Sequence, residues 1–493
     1  MVGHALYLAV MLALFASIPP QAMGHAAGGL VVVGIIGTWR YGWAAINAVR
    51  ATIYARFAYP RLRARAEADY ARAAHPAHAW FLVTSYKIDA ATTTRVYQAL
   101  FRAAAASPGG ASIIASVVDS SDARLIRRLF ALMPLDLAHV RLIVDQIPGT
   151  GKRDALARSL RLIARASPTR RDIVLFVDGD SAVPEDVVTR AAPFFSDPRI
   201  GALTTDEEVE IATPGLFRDW FDLRFAQRQV MMCSMALSGR VLTLTGRMSV
   251  FRADLATHPD FVAQVQSDYI DHWRLGRVQF LTGDDKTTWF WLLRHGYRMA
   301  YLPDVKTVSM ESQPAPGFVG SAVMLMVRWF GNMLRTNGRA LALPPSQIGA
   351  FTWWSLLDQR LGIWTTLAGP ISVILGTLLV SPWVLPAWLG WVMFTRYAVC
   401  ALLALVRRRA FPVSWPFLLY FAQIVGASVK SYILFRLDRQ KWTRQATAPR
   451  PSGGTRPSAA SFGTRLKDWS SIHAHALALG WLTLGVVLLS GFV

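Results

Sequence analysis

Two acidic clusters carry the residue types and spacing that chemistry needs. Asp178-Gly-Asp180 closes the apolar run Ile173-Val-Leu-Phe-Val177, and Thr282-Gly-Asp284-Asp285 opens the apolar helical stretch Lys286–Arg294. Carboxylates two residues apart can point to the same side. Asp178 and Asp180 could therefore hold Mg2+ or Mn2+ against the phosphate oxygens of a nucleotide diphosphate leaving group. They would equally suit a turn with an acidic helix cap, since Ser181-Ala-Val-Pro184-Glu185 reads as a helix start. Asp284 or Asp285 could act as a general base on an attacking hydroxyl, and adjacent carboxylates raise each other's pKa, which suits that task. Either could also be a helix N-cap favoured by the dipole.

Cations flank these clusters. Pro148-Gly-Thr-Gly-Lys152-Arg153-Asp154 follows a strand and opens a helix, an arrangement suited to phosphate. Its glycine spacing is not that of a P-loop, and no Ser or Thr follows the Lys. A solvated basic turn is the other reading. Arg328-Trp329 lies on the amphipathic stretch Ser321–Asn332, either as an anchor in the membrane interface or with Trp329 stacked on a sugar and Arg328 paired with a phosphate or carboxylate. Lys441-Trp442-Thr-Arg444 has the same two readings.

The elements that must position these groups alternate along the middle of the chain. Trp80–Thr84, Ser112–Val118, Val140–Val144 and Ile173–Val177 read as buried strands, with helices predicted over Ala90–Ala105, Asp122–Met133 and Lys152–Ala166. Strands separated by helices imply an α/β domain with a doubly wound, mostly parallel sheet. Ligands of such sheets bind at the carboxyl ends of strands, where Asp178 and Asp180 stand.

Both ends of the chain are different. The 493 residues are 53% hydrophobic, with 18 Trp, yet carry a formal charge of +21. Apolar runs of spanning length crowd His4–Ile18, Gly28–Val49, Leu361–Val380, Trp383–Val406, Phe411–Phe435 and His475–Val493. The first lacks a basic n-region and is read as a span rather than a cleaved signal. Arg50, Arg56, Arg61, Arg63 and Arg65 place the exit of the second run in the cytoplasm. Arg407-Arg-Arg409 and the basic stretch Arg436–Lys467 both ask for the cytoplasm, so Phe411–Phe435 between them is expected to be interfacial or re-entrant. That gives five spans, with six as the alternative. Two cysteines, Cys233 and Cys400, exclude a disulfide framework and agree with a reducing compartment. Pro451-Ser-Gly-Gly-Thr-Arg-Pro-Ser reads as a linker.

The order of these sites resembles the processive family 2 glycosyltransferases, which place a GT-A domain between transmembrane helices. Their DxD site, TED- or GDD-type base and QxxRW motif correspond to Asp178-Gly-Asp180, Gly283-Asp-Asp285 and Arg328-Trp329, with Leu325 in place of the Gln. Longer stretches are similar to the group within that family that polymerises mannuronate for bacterial alginate. They include Ile147-Pro-Gly-Thr-Gly-Lys-Arg-Asp154, Arg224-Phe-Ala-Gln-Arg228, Leu244-Thr-Gly-Arg-Met-Ser-Val-Phe-Arg252, Leu281-Thr-Gly-Asp-Asp-Lys286 and Arg328-Trp-Phe-Gly-Asn332. The similarity runs from about Trp39 to Gln445.

The resemblance implies GDP-mannuronate as donor and a growing β-1,4-linked polymannuronate chain as acceptor, with inversion at the donor carbon. Asp178 and Asp180 would hold the metal, and Asp285, beside Asp284, would be the base. Lys152, Thr84 and Asp119 would contact the nucleotide, with Asp122 competing for the last role. Trp442 and Arg444 would lie on a gating loop over the donor, and Arg328 and Trp329 would meet the acceptor. Arg247, in a polar turn between apolar strands, is expected to select the donor carboxylate; pairing with a carboxylate of the domain is the alternative. The implied partners are membrane lipid, a cyclic di-GMP-binding copolymerase and a periplasmic export complex, with no nucleic acid; the basic charge would serve the anionic donor and polymer. The implied divisions are 1–50, two transmembrane helices; 51–315, the cytoplasmic GT-A domain; 316–350, interfacial helices; 351–435, membrane and interfacial helices; 436–470, the gating loop and linker; and 471–493, a last span. A synthase of another exopolysaccharide and a non-processive transferase to a lipid carrier are the alternatives. A transporter ranks last, since few charges interrupt the spans. In the five-span arrangement a reporter fused after Lys467 reads cytoplasmic and one after Val493 periplasmic; six spans invert both.

Overall fold

The computed structural model describes residues 2–20, 31–440 and 462–490. Strands β1 (Ala79–Thr84), β2 (Ala111–Val117), β3 (Val140–Gln146) and β4 (Ile173–Asp178) alternate with helices Ala90–Ala105, Ser120–Leu132 and Lys152–Arg165. β2 is buried along its whole length, as befits a strand covered on both faces. The first of these helices starts where Asp89 accepts a hydrogen bond from the Thr92 amide at 2.8 Å. Its Val96, Tyr97, Leu100 and Phe101 then fall on one face and enter the core.

β5 (Ser181–Ala182), β6 (Ile200–Glu210), β7 (Met248–Arg252) and β10 (Arg298–Met310) complete an eight-stranded sheet in the order β3-β2-β1-β4-β7-β6-β10-β5, while β8 (Tyr269–His272) and β9 (Gly276–Gln279) pair as a separate hairpin. The chain runs outward through β1, β2 and β3, then returns to place β4 on the other side of β1. That reversal opens a crevice beyond the carboxyl ends of β1 and β4, where Thr84 and Asp178 are register partners. The parallel half follows the predicted pattern, but the sheet as a whole is mixed. β7 runs antiparallel to both β4 and β6, and β5 antiparallel to β10. An apolar run announces a buried strand without its direction, so β7 was not distinguishable from a parallel strand by periodicity. Ser181–Ala182 pairs with Val308 and Ser309 rather than starting a helix, which begins only at Val187.

Helices Val2–Ala16 and Val31–Ile53 precede this domain; Phe318–Leu341, Ala350–Leu379, Val384–Arg407, Trp415–Leu434 and Phe462–Ser490 follow it. Among the described residues four helices are long and apolar enough to cross a membrane: Ala350–Leu379, Val384–Arg407, Trp415–Leu434 and Arg465–Ser490; the two N-terminal runs expected to span are not among them, Val2–Ala16 being apolar but only 15 residues long and Val31–Ile53 carrying Arg40 and Arg50. Trp415–Leu434, one of these four, is attached to the sheet domain near both ends. Beside its first turn Ser414 donates to Asp219 at 2.6 Å, and beside its last the Phe435 carbonyl accepts from Arg274 at 2.6 Å. A helix of this length separates its ends by about 30 Å. With both ends bonded to the sheet domain, the helix runs beside that domain. Pro416 sits in its first turn, where a missing amide leaves no helical bond unmade.

The helix Phe318–Leu341 is fastened to the sheet domain by a buried ion pair. Arg339 donates to both oxygens of Asp268, at 2.6 and 2.9 Å, and Asp268 is only 4% exposed. Thr287 adds a bond to the same carboxylate at 2.6 Å, and the guanidinium lies 4.4 Å from the Phe290 ring centroid. Arg339→Ala strands a buried charge, so thermal unfolding in detergent should show a loss of about 3 kcal/mol. Arg339→Lys should recover part of it, and an unchanged melting temperature would place the anchor elsewhere.

Candidate active site

A cavity of about 660 Å³ lies over the carboxyl ends of β1 and β4. Thr84, Lys152, Asp178, Asp180, Arg247, Asp284, Asp285, Arg328 and Trp329 all line it, although they are spread over most of the domain's sequence. Asp119 is not in that wall: it is exposed at the start of helix Ser120–Leu132, beside Asp122. Burial and the Asp119 charge raise the Asp122 carboxyl above its usual range. Trp442 and Arg444 lie outside the described residues.

Lys152 is the centre of the site. It is the first residue of its helix, after Gly151 at φ 128°, and its Nζ reaches Asp178 Oδ1 at 2.6 Å and Asp284 Oδ2 at 3.0 Å. One cation thus joins the strand-end carboxylate to the first turn of helix Asp284–Arg294. The backbone closes tightly around this contact. A Cβ at Gly246 would lie 3.1 Å from Asp178 Oδ2 and 3.5 Å from Lys152 Nζ. A Cβ at Gly179 would come within 2.4 Å of Ser85 Oγ, because the Gly179 amide donates to the Thr84 carbonyl. The close approach of the β1 and β4 ends therefore requires glycine between Asp178 and Asp180.

The surroundings separate the carboxylates. Burial, opposed by Lys152, leaves Asp178 pushed up to about 6, with the charges of Asp180 and Asp284 adding to the rise. Burial works against Asp284 too, but Lys152 and Arg153 together hold it below the usual carboxylate range. Asp285 is raised, first by burial and then by the Asp284 charge. Lys286 is lowered to about 8 by burial and donates to the Leu242 carbonyl at 3.2 Å. Adjacent aspartates have thus been driven apart, one held as an anion and the other made the better proton acceptor.

Among the described residues no group of three or more His, Cys, Asp or Glu side chains is arranged to hold a metal. Asp178 and Asp180 supply two carboxylates to the cavity wall. That donor set fits Mg2+ or Mn2+, which take one or two protein carboxylates and complete their shell with phosphate oxygens and water. Thr84 Oγ1 is buried at the same wall without a hydrogen-bond partner among the described residues, a polar atom left for a ligand.

The loop carrying the aspartates is held from two sides. Gly283 adopts φ 85°, and a Cβ there would lie 2.9 Å from Asn332 Cγ. Thr282 Oγ1 donates to Asn332 Oδ1 at 2.8 Å, and Arg335 donates to the same oxygen at 2.7 Å. From the other side, buried Arg153 donates to the carbonyls of Val265 and Thr282 and to Thr287 Oγ1, at 2.9, 3.1 and 2.9 Å. The sequence reading gave no positioning role to Arg153 or Asn332. A basic turn reads as solvated, and only the fold shows that Arg153 points inward while Lys152 faces the cavity.

Arg247 lines the cavity, but its guanidinium is engaged by Glu311 at 2.7 Å and Glu207 at 3.4 Å, the latter 1% exposed. An arginine matched to two carboxylates brings no net charge to a third, so the domain-pairing alternative describes its contacts, in place of an open clamp for the donor. Trp329 stacks on Trp220 with centroids 5.7 Å apart, and Arg224 lies 4.5 Å from its ring centroid. Leu325, where the family motif has Gln, is buried and also lines the cavity.

Residues 76–332 match the family described as Glycosyltransferase like family 2. The chain belongs to that family. Two relatives named Glycosyltransferase alg8 are each 41% identical to this glycosyltransferase. The one from Pseudomonas syringae pv. tomato aligns over 472 residues and the one from Azotobacter vinelandii over 474, in both cases 95% of this chain and 94% of the relative. Among solved structures, the mannosyltransferase PcManGT from Pyrobaculum calidifontis in complex with GDP-Man and Mn2+ is 18% identical, with a TM-score of 0.46 over 82% of this chain and 98% of that one. In this family 2 enzyme Gly283→Ala both strains the αL turn and pushes Asn332 away. Sugar transfer should fall on the order of 100-fold from misplacement of the aspartates, while nucleotide binding by calorimetry stays near wild type. Equal loss of both would show that the loop supports the nucleotide instead.

Proposed function

We propose that this glycosyltransferase is a processive, inverting polymerase that takes mannuronate from GDP-mannuronate and extends β-1,4-linked polymannuronate while passing it across the bacterial inner membrane. The observation that carries this reading is the continuity of the cavity. The same space is lined by Asp178, Asp180 and Asp285 at one side, by Trp329 at another, and by Gln359 of the long apolar helix Ala350–Leu379. A donor site that opens directly onto a membrane helix suits a product that leaves through the bilayer. The sugar itself rests on the sequence resemblance to mannuronate polymerases and on near full-length similarity to the alg8 relatives.

In the proposed reaction Thr84 and Lys152 border the nucleotide, and Asp178 and Asp180 face the diphosphate. A divalent cation bound by those carboxylates would offset the charge that develops on the leaving GDP. Asp285 takes the proton from the acceptor 4-hydroxyl as its oxygen bonds to the donor C1 and the bond from C1 to the diphosphate oxygen breaks. Inversion follows, because the hydroxyl enters opposite the departing GDP. Asp284 stays ionised against Lys152 and fixes the loop. With five spans, the catalytic domain lies in the cytoplasm, where a nucleotide sugar is available. A cyclic di-GMP-binding copolymerase and a periplasmic export complex complete the proposed machinery.

Membranes given labelled GDP-mannuronate should form an acidic polymer, and GDP-mannose should not replace it. Asp285→Asn should abolish elongation and leave GDP binding intact. Because a general base must be ionised and Asp285 is raised, wild-type kcat/KM should fall with decreasing pH through a limb lying above the ordinary carboxylate value of about 4. Near-normal polymer from the Asn variant would remove Asp285 from the role.

A further inference from the structure

Arg224 and Lys430 are cations in an unusual condition. Arg224, on helix Leu216–Ala236, lines the catalytic cavity and lies against the rings of Trp329, Trp220 and Phe330, at 4.5, 5.1 and 6.0 Å from their centroids. Among the described residues it has neither an ion-pair nor a hydrogen-bond partner. Burial and the neighbouring Arg247 charge lower it to about 10. Lys430, on helix Trp415–Leu434, stands 4.5 Å from the Phe330 centroid and likewise lacks a hydrogen-bond or ion-pair partner among the described residues. Its charge is close enough to feel Arg224 and Arg40, and the opposing Asp358 is already bonded to Arg40 at 2.7 Å. Two other cations of the cavity have their charges met, Lys152 by two aspartates and Arg247 by two glutamates. Two cations that share one aromatic ring and repel each other are held there for a ligand that supplies the missing negative charge.

We propose that Arg224 and Lys430 form a binding site for the carboxylates of the acceptor polymer, at the point where it leaves Trp329 for the membrane helices. This rests on the functional reading above. The placement distinguishes acceptor from donor, since Asp178 and Asp180 mark the diphosphate side and Phe330 belongs to the helix that approaches the membrane. A uronate chain presents an anion on every unit beside an apolar sugar face. Planar Arg224 over Trp329 and extended Lys430 over Phe330 match that combination. A second cavity of about 120 Å³ among the apolar helices is lined by Arg40, which is paired with Asp358, and by Arg396, which has no acidic partner among the described residues.

The test compares wild type, Arg224→Gln, Lys430→Gln and the double variant in detergent and in membranes. Binding of a short oligomannuronate is measured against an uncharged β-1,4-mannan oligomer, with GDP binding as the control for folding. Each Gln variant should bind the acidic oligomer about tenfold or more weakly, with no change toward the neutral one, and should release shorter polymer. Arg224→Lys and Lys430→Arg should restore most of both properties. Acidic-oligomer binding and polymer length equal to wild type, with GDP binding retained, would overturn the site. Equal weakening toward acidic and neutral oligomers would also overturn it, as would failure of the charge-retaining variants to rescue. A wild-type enzyme that makes no polymer from GDP-mannuronate would instead overturn the functional reading on which the site depends.

Discussion

The site depends on one lysine. Lys152 lies between Asp178 and Asp284, two residues more than a hundred positions apart in the chain, and ties the end of β4 to the first turn of the helix that carries Asp285. Without that cation, Asp178, Asp180, Asp284 and Asp285 would crowd one cavity with uncompensated negative charge. With it, the strand end and the aspartate loop share a counter-ion and can sit close together. The glycines follow from the same closeness: Gly246 lets the loop before β7 approach the Lys152–Asp178 contact, and Gly179 lets β4 approach Ser85. Charge compensation, more than apolar packing, sets the shape of the cavity floor.

The pair also explains how two neighbouring aspartates can differ. Asp284 gains Lys152 and Arg153, whereas at Asp285, one residue on, burial and the repulsion of Asp284 outweigh the opposing charges of Lys286 and Lys152. Arg153 contributes twice, since it also grips the backbone at Thr282 and the hydroxyl of Thr287. Thr287 bonds Asp268, and Asp268 bonds Arg339 on the helix that bears Arg328 and Trp329. A continuous polar chain therefore runs from Arg153 through Thr287 and Asp268 to helix Phe318–Leu341.

Much of the parallel half was legible. β1 to β4 are short apolar runs separated by helices with clear apolar faces, and their carboxyl ends locate the crevice before any contact is known. The carboxylate motifs are local, so Asp178, Asp180, Asp284 and Asp285 could be named from the chain alone. Three things were not legible, each for a physical reason. The antiparallel direction of β7 leaves no trace in a buried run. The partners of Arg247, Glu207 on β6 and Glu311 just beyond β10, meet it only through the sheet order. Asp119 follows the predicted strand end, yet its backbone turns it out to solvent, so position after a strand did not guarantee a place in the cavity wall.

The same lesson applies to the helix Trp415–Leu434. Hydropathy alone cannot separate a spanning helix from one that lies along a membrane-facing domain, because both must be apolar over about 20 residues. Arg409 bonds Glu208 before the helix, Arg274 bonds the Phe435 carbonyl after it, and Gln440 bonds the Gln279 carbonyl beyond. Three attachments hold both ends of the helix against the sheet domain. Laid along the domain, the helix brings Lys430 against Phe330, whose chain neighbour Trp329 lines the catalytic cavity. That contact sets Lys430 4.5 Å from the Phe330 ring centroid, on the ring that Arg224 approaches at 6.0 Å, so the helix adds a second cation beside the cavity with no ion-pair partner among the described residues.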